Sequence, residues 1–188
     1  MTSFIESICA EYLRYKTLAE AAIDQLSDDQ LSIPGPNGGN SIATICWHIS
    51  GNLNSRFTDF LTTDGEKPWR QREEEFKART VTRSELLSKW KEGWDVLLDT
   101  LSTLTDKQLT KTVTIRGQPL AVHEALHRSL AHLSYHVGQI VYAAKAMRGK
   151  DWKYLSIPPG QSAAYNQAPT SEKPAAHQAA LSKRSTRK

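Results

Sequence analysis

Long hydrophobic runs are missing from this 188-residue sequence. No stretch approaches the roughly 20 consecutive apolar residues that a membrane helix needs, so no bilayer-spanning segment is expected. Cysteine is nearly absent. Cys9 and Cys46 are too few for a disulfide framework or a four-cysteine metal site, and their apolar, helix-patterned neighbours mark them as small core residues. The first 14 residues have an early acid, no basic n-region and no continuous apolar stretch, so they do not read as a secretory signal, and the expected compartment is the cytoplasm. An excess of charge of one sign is also lacking over most of the chain. The net charge of +4 resides after residue 166, where Lys173, Lys183, Arg184, Arg187 and Lys188 face a single Glu172. Everything before that is neutral, which argues against a nucleic-acid partner. The tail, rich in Ala, Ser, Lys and Pro, is expected to be a disordered solubilising end. The chain thus divides into one domain over residues 1–166 and a basic tail over 167–188.

What is present is helical periodicity. Ser3 and Glu6 form an S-x-x-E capping box ahead of a stripe of Ile5, Ile8, Tyr12, Tyr15, Ala19, Ala22 and Leu26 at three- and four-residue steps. The turn-rich run from Ile33 to Gly39 breaks the chain before Asn40 or Ser41 caps a second helix, which turns Ile45, Ile49, Leu53, Phe57 and Phe60 inward. Residues 63–79, with Glu73, Glu74 and Glu75 in a row, read as a solvated connection. Thr82 and Glu85 open a third helix whose stripe runs Leu87, Trp90, Trp94, Leu97, Leu101, Leu104. Trp47, Trp90 and Trp94 are expected in the core. Residues 112–116 suit a short extended piece, and Pro119 suits the first turn of a fourth helix ending near Met147. Leu26–Leu31 echoes Leu104–Leu109, as two similar helical hairpins or one recurrent capping turn would. The sum is an all-α, up-down four-helix bundle with a short irregular C-terminal extension.

Five of the six histidines fall in the second and fourth helices. Residues four apart differ by about 40° around a helix axis, so such a pair can place two imidazoles on one ion. The fourth helix has two pairs, His123 with His127 and His132 with His136, on opposite flanks of its apolar stripe. The first lies in an H-E-x-x-H string with Glu124, the pattern in which zinc proteases use both histidines as ligands and the glutamate as base. Leu130 and Leu133 stand where a metzincin needs Gly and His, and the only later glutamate is Glu172, so no third ligand is available. That pair reads as flanking the first turns of the helix. The second pair has a partner in His48, which an antiparallel bundle turns toward the same seam. On spacing alone, three metal ligands and three hydrogen-bonded seam histidines are both open. Gln139 is either an imidazole-orienting partner or a helix contact. Asn52 is a candidate to line the pocket. Arg128 reads as a solvated arginine beside Glu124, with attraction of an anionic substrate as the alternative. Cys46 cannot join His48 on one ion, being about 200° away around the helix.

The run from His132 to Ile140, HLSYHVGQI, resembles the H-x-x-x-H-x-G-Q-I signature of the DinB/YfiT-like superfamily of bacterial four-helix-bundle proteins. The block from Trp152 to Ser162, with Tyr165 and Asn166, is similar to the C-terminal block of one of its branches. The likeness covers residues 1–166 and implies a divalent metal held by one histidine of the second helix and two of the fourth, here His48, His132 and His136. Imidazole suits zinc, nickel, manganese and iron alike. The resemblance also implies homodimers and reactions on low-molecular-weight thiols such as bacillithiol or mycothiol, of transferase or isomerase type. The expectation is a metal-dependent enzyme that activates a thiol or water on a small-molecule substrate. The competing one is a non-catalytic dimeric bundle acting as a binding or stress-related module.

Overall fold

The computed structural model of the chain describes residues 2–185. It is mostly helical, with seven α-helices and one two-stranded sheet among the described residues. α1 (Phe4–Ile23) starts at the expected capping box, where Ser3 Oγ accepts Glu6 N–H and Glu6 Oε2 accepts Ser3 N–H. Its first amides find a second acceptor far along the chain, since Phe4 and Ile5 N–H donate to the Asp106 carboxylate. α2 (Ile42–Phe57) is capped by Ser41, whose Oγ accepts Thr44 N–H, and α4 (Arg83–Thr103) by the Thr82–Glu85 box. α5 (Val122–Arg148) runs 27 residues, about 40 Å at 1.5 Å per residue.

α2 packs along α4 and α1 along α5, and α2 also meets α5. The first of these pairs depends on a missing side chain. A Cβ on Gly93 of α4 would lie 2.6 Å from Ser50 Cα, so only glycine lets the two helix backbones come this close. The core between the helices holds Tyr12, Ile49, Leu53, Trp90, Trp94, Leu97, Leu126 and Leu133, all at most 1% exposed. Tyr12 buries its hydroxyl by donating to Leu126 O at 2.9 Å. Cys46 is fully buried and Cys9 partly so, both free thiols. Trp90 and Trp94 lie in the core as expected, whereas Trp47 is half-buried with the Arg79 guanidinium 4.7 Å above its ring. The echoed segments each follow a helix with a 3-10 turn, over Asp29–Ser32 and Asp106–Gln108. In both, a glutamine Oε1 (Gln30, Gln108) accepts the backbone N–H three residues earlier.

Three segments depart from the sequence-based expectation. Pro119 does not begin a helix. It lies in β2 (Gln118–Ala121), antiparallel to β1 (Thr112–Ile115), and the helix starts three residues later. The two-residue turn between the strands, Arg116 and Gly117, has φ of 56° and 71°, the primed-turn geometry that matches strand twist. Asp64 clamps this turn to the α2–α4 connection, its carboxylate accepting the N–H groups of Arg116, Gly117 and Glu66. Second, the connection is not uniformly solvated. It contains the single helical turn α3 (Arg72–Glu75), with Glu75 and Lys67 buried. Third, the disordered tail expected beyond residue 166 is corrected. The extension ends in the short helix α6 (Ser162–Gln167), and beyond it α7 (Pro174–Ser185) forms in the tail and packs on α1. Its alanines favour helix, Leu181 is fully buried, and His177 Nε2 donates to Leu155 O at 3.0 Å. Arg187 and Lys188 lie outside the described residues. No helix among the described residues is long and apolar enough to cross a membrane.

Candidate metal centre

α5 presents His132 and His136 one turn apart, and α2 presents His48 to the same point. His48 and His136 are buried and His132 is half-buried. The three rings meet edge to face, with centroids 4.5 to 5.2 Å apart. His132 Nε2 is 3.2 Å from His48 Nε2 and 3.2 Å from His136 Nε2, and the three lie within 4.8 Å of one another. Among the described residues this is the one cluster of three or more His, Cys, Asp or Glu close enough to hold a metal ion.

The outward nitrogens fix what the inward ones can do. Glu75 Oε2 lies 2.8 Å from His48 Nδ1. A carboxylate only accepts, so the ring donates from Nδ1, and the neutral tautomer that makes this bond keeps its lone pair on Nε2. Burial works to raise the Glu75 carboxyl, but hydrogen bonds from Arg70 and His48 hold it below the usual range and keep it ionised. Gln139 Oε1, 2.8 Å from His136 Nδ1, does the same for the second ring. This is the orienting role considered for that residue. Burial, followed by the charges of His136, His48, Arg70 and Arg56, pushes His132 down to about 3. Burial also lowers His136, against the raising effect of Gln139. Both rings of α5 are therefore biased toward the neutral, metal-ready form. Neutral imidazoles with converging lone pairs are the donor set that divalent transition metals take. Metal–nitrogen bonds of about 2.0–2.1 Å at tetrahedral angles put neighbouring nitrogens about 3.3 Å apart, close to the 3.2 Å that His132 Nε2 keeps from each of the other two. The residues present fit a divalent metal.

Glu75 was not legible as a site residue in its acidic run. It reaches His48 because Gly51, three residues on in α2, has no side chain: a Cβ there would lie 2.6 Å from Glu75 Cδ. Two bonds from Arg70, Nε to Oε1 at 2.8 Å and Nη2 to Oε2 at 2.9 Å, hold the carboxylate in place. Phe76 closes over the His48 ring at 4.5 Å between centroids.

The other histidines stand apart from this cluster. His123 Nδ1 donates to Leu109 O, and His127 meets the Phe4 ring edge-on at 5.3 Å. Glu124, the would-be base of the H-E-x-x-H string, accepts the Ala121 N–H at the start of α5. A cavity of about 450 Å³ opens beside His48 and His132. Asn52, Phe57, Phe60 and Ser129 line it, as does Arg128, which makes no ion pair with Glu124.

Residues 1–161 match a family described as "Protein of unknown function (DUF1572)". No curated protein and no solved structure matches the chain.

Proposed function

We propose that this chain, which belongs to the DUF1572 family, is a metal-dependent enzyme of the DinB-like class, with His48, His132 and His136 as the ligands of one divalent cation. α1, α2, α4 and α5 are then the four helices of that superfamily's up-down bundle, and two copies of the chain form the working unit. The observation that carries the reading is the convergence of three Nε2 lone pairs, two of them fixed inward by acceptors on the opposite ring nitrogens. One shared proton on His132 Nε2 cannot satisfy both facing nitrogens fully, and a cation at their focus would.

A cation on three imidazoles keeps an open position, where it lowers the pKa of a bound water or thiol. The chain's own residues do the rest. Glu75 and Gln139 hold two rings in the metal-ready tautomer, and the cavity gives a small substrate room next to His48 and His132. No carboxylate lines that cavity. A bound cation would supply the activation that no side-chain carboxylate offers there, which favours transfer to or from a thiol, or hydrolysis.

The test is elemental analysis of untagged protein with the His48→Ala, His132→Ala and His136→Ala variants. About one zinc, nickel, manganese or iron per chain is expected, absent from all three variants. Unchanged stoichiometry in His136→Ala overturns the ligand set, and no uptake on reconstitution overturns the metal. Turnover of thiols with electrophiles, or of small esters and amides, should stop with chelator and return with metal. Turnover that survives chelation overturns the mechanism.

A further inference from the structure

The cavity beside the three imidazoles is lined by five arginines, Arg56, Arg70, Arg72, Arg116 and Arg128, and by no Asp or Glu. Their charges are unequally matched. Glu66 Oε2 serves Arg56, with two bonds of 3.1 Å, and Arg116 at 2.9 Å, and lies 3.9 Å from Arg70. Glu75 takes the remaining donors of Arg70 and also His48. Arg72 pairs only with Glu73, whose side chain is 85% exposed, so that pair is weak. Arg128 is exposed and has no ion pair or hydrogen bond with any described residue, and Glu124, one turn earlier, instead accepts the Ala121 N–H. Five guanidinium groups thus face one space against three paired carboxylates, one of them in water.

The rest of the wall includes Phe57, Phe60, Ile115, Ala125 and Ala131. A cleft of one charge sign with apolar walls concentrates counter-ions. Its donors are guanidinium forks, which match the two oxygens of a carboxylate or phosphate.

We propose that the site's substrate carries an oxyanion, a carboxylate or a phosphate, which Arg128 and Arg72 bind while the reacting end lies at the imidazoles. The assignment of the reacting end rests on the metal-enzyme reading; the anion subsite rests on the arginines alone. Arg56, Arg70 and Arg116 are matched by Glu66 and Glu75, Arg72 is weakly held by the exposed Glu73, and Arg128 has its donors free.

The experiment titrates inorganic phosphate and succinate, separately, into metal-loaded wild type, Arg128→Gln and the Arg72→Gln/Arg128→Gln double variant. Sodium chloride at matched ionic strength is the control, and metal content is measured in every sample. At least one probe should bind saturably to wild type beyond the chloride effect. Its Kd should rise about tenfold or more in the double variant, the loss expected from one charge-assisted hydrogen bond, with metal content unchanged. The tighter probe identifies the oxyanion. A Kd within about twofold of wild type in the double variant, or no binding beyond chloride, overturns the inference. Arginine-dependent binding in a protein that takes up no metal removes the enzyme reading and leaves the anion subsite standing. One metal per chain with arginine-independent binding does the reverse.

Discussion

Replacing Gly51 with alanine adds one methyl group to α2 a single turn after His48, and the structure says where it goes. The new Cβ would fall on the Glu75 carboxylate, 2.6 Å from Cδ. Elsewhere in a helix interior the change would stabilise by about 0.8–1 kcal/mol. Here the carboxylate cannot simply swing away, because three charge-assisted bonds hold it: two from Arg70 and one from His48. Each is worth about 1.5–3 kcal/mol. Giving up one or two costs about 1.5–6 kcal/mol, so a net loss of about 0.5–5 kcal/mol is expected after the helix gain. Arg70, with its side chain 2% exposed, is left as a poorly paired buried cation. Losing the partner that orients His48 should also weaken metal binding about 10- to 100-fold. Chemical denaturation of metal-free protein gives the first quantity, and competition against a chelating dye gives the second. A Gly51→Ala protein at least as stable as wild type, with unchanged metal affinity, would refute the role given to Glu75.

The same methyl group on α5 should act oppositely. Gly138→Ala meets nothing within 4 Å, so it should stabilise by about 1 kcal/mol in denaturation and leave metal affinity unchanged; a loss of stability would mean that this face is covered. The Asp64 carboxyl is held down to about 2, from an ordinary 3.8, first by the Glu66 N–H and then by those of Gly117 and Arg116. A depressed carboxyl stabilises above its unfolded value and loses that contribution as pH falls toward 2. The Tm gap between wild type and Asp64→Asn should therefore narrow from pH 5 to pH 2.5, and a constant gap would contradict it. Leu181→Ala should cost about 2 kcal/mol, the low end for a buried leucine. Amide exchange should show α7 losing protection while α2 and α5 keep theirs; unchanged protection of α7 would mean that Leu181 does not anchor it.

The clustering of the histidines was legible because two of the three rings obey helical spacing. His132 and His136 are four apart, and His48 lies on the apolar flank of another amphipathic helix, so periodicity alone brings them to one seam. Glu75 was hidden for a physical reason. A run of three glutamates has the pattern of a solvated segment, and the third is drawn inward by Arg70 and by the gap over Gly51, both set by tertiary packing. A glycine three residues after His48, in mid-helix, was the available signal. Pro119 satisfies a short edge strand as well as a first helical turn, and the Arg116–Gly117 turn decided between them. In the tail, one buried leucine among alanines was enough to dock a helix that average composition argued against.

The segment carrying Glu75 is built unlike the helices that carry the imidazoles. Between residues 58 and 81 Phe60 is the only large apolar side chain that is buried. The stretch is held by polar ties: Arg70 to Glu75, Lys67 to Thr63 Oγ1 and Asp64 O, and Arg79 to the Glu74 and Glu75 carbonyls. Dissolved ions screen exposed charges, but the Arg70 and Glu75 side chains are only 2% and 9% exposed, so salt reaches that pair little. The rings therefore ride on a hydrophobic frame, while the group that aims one of them rides on a polar strap whose innermost knot is shielded from the solvent.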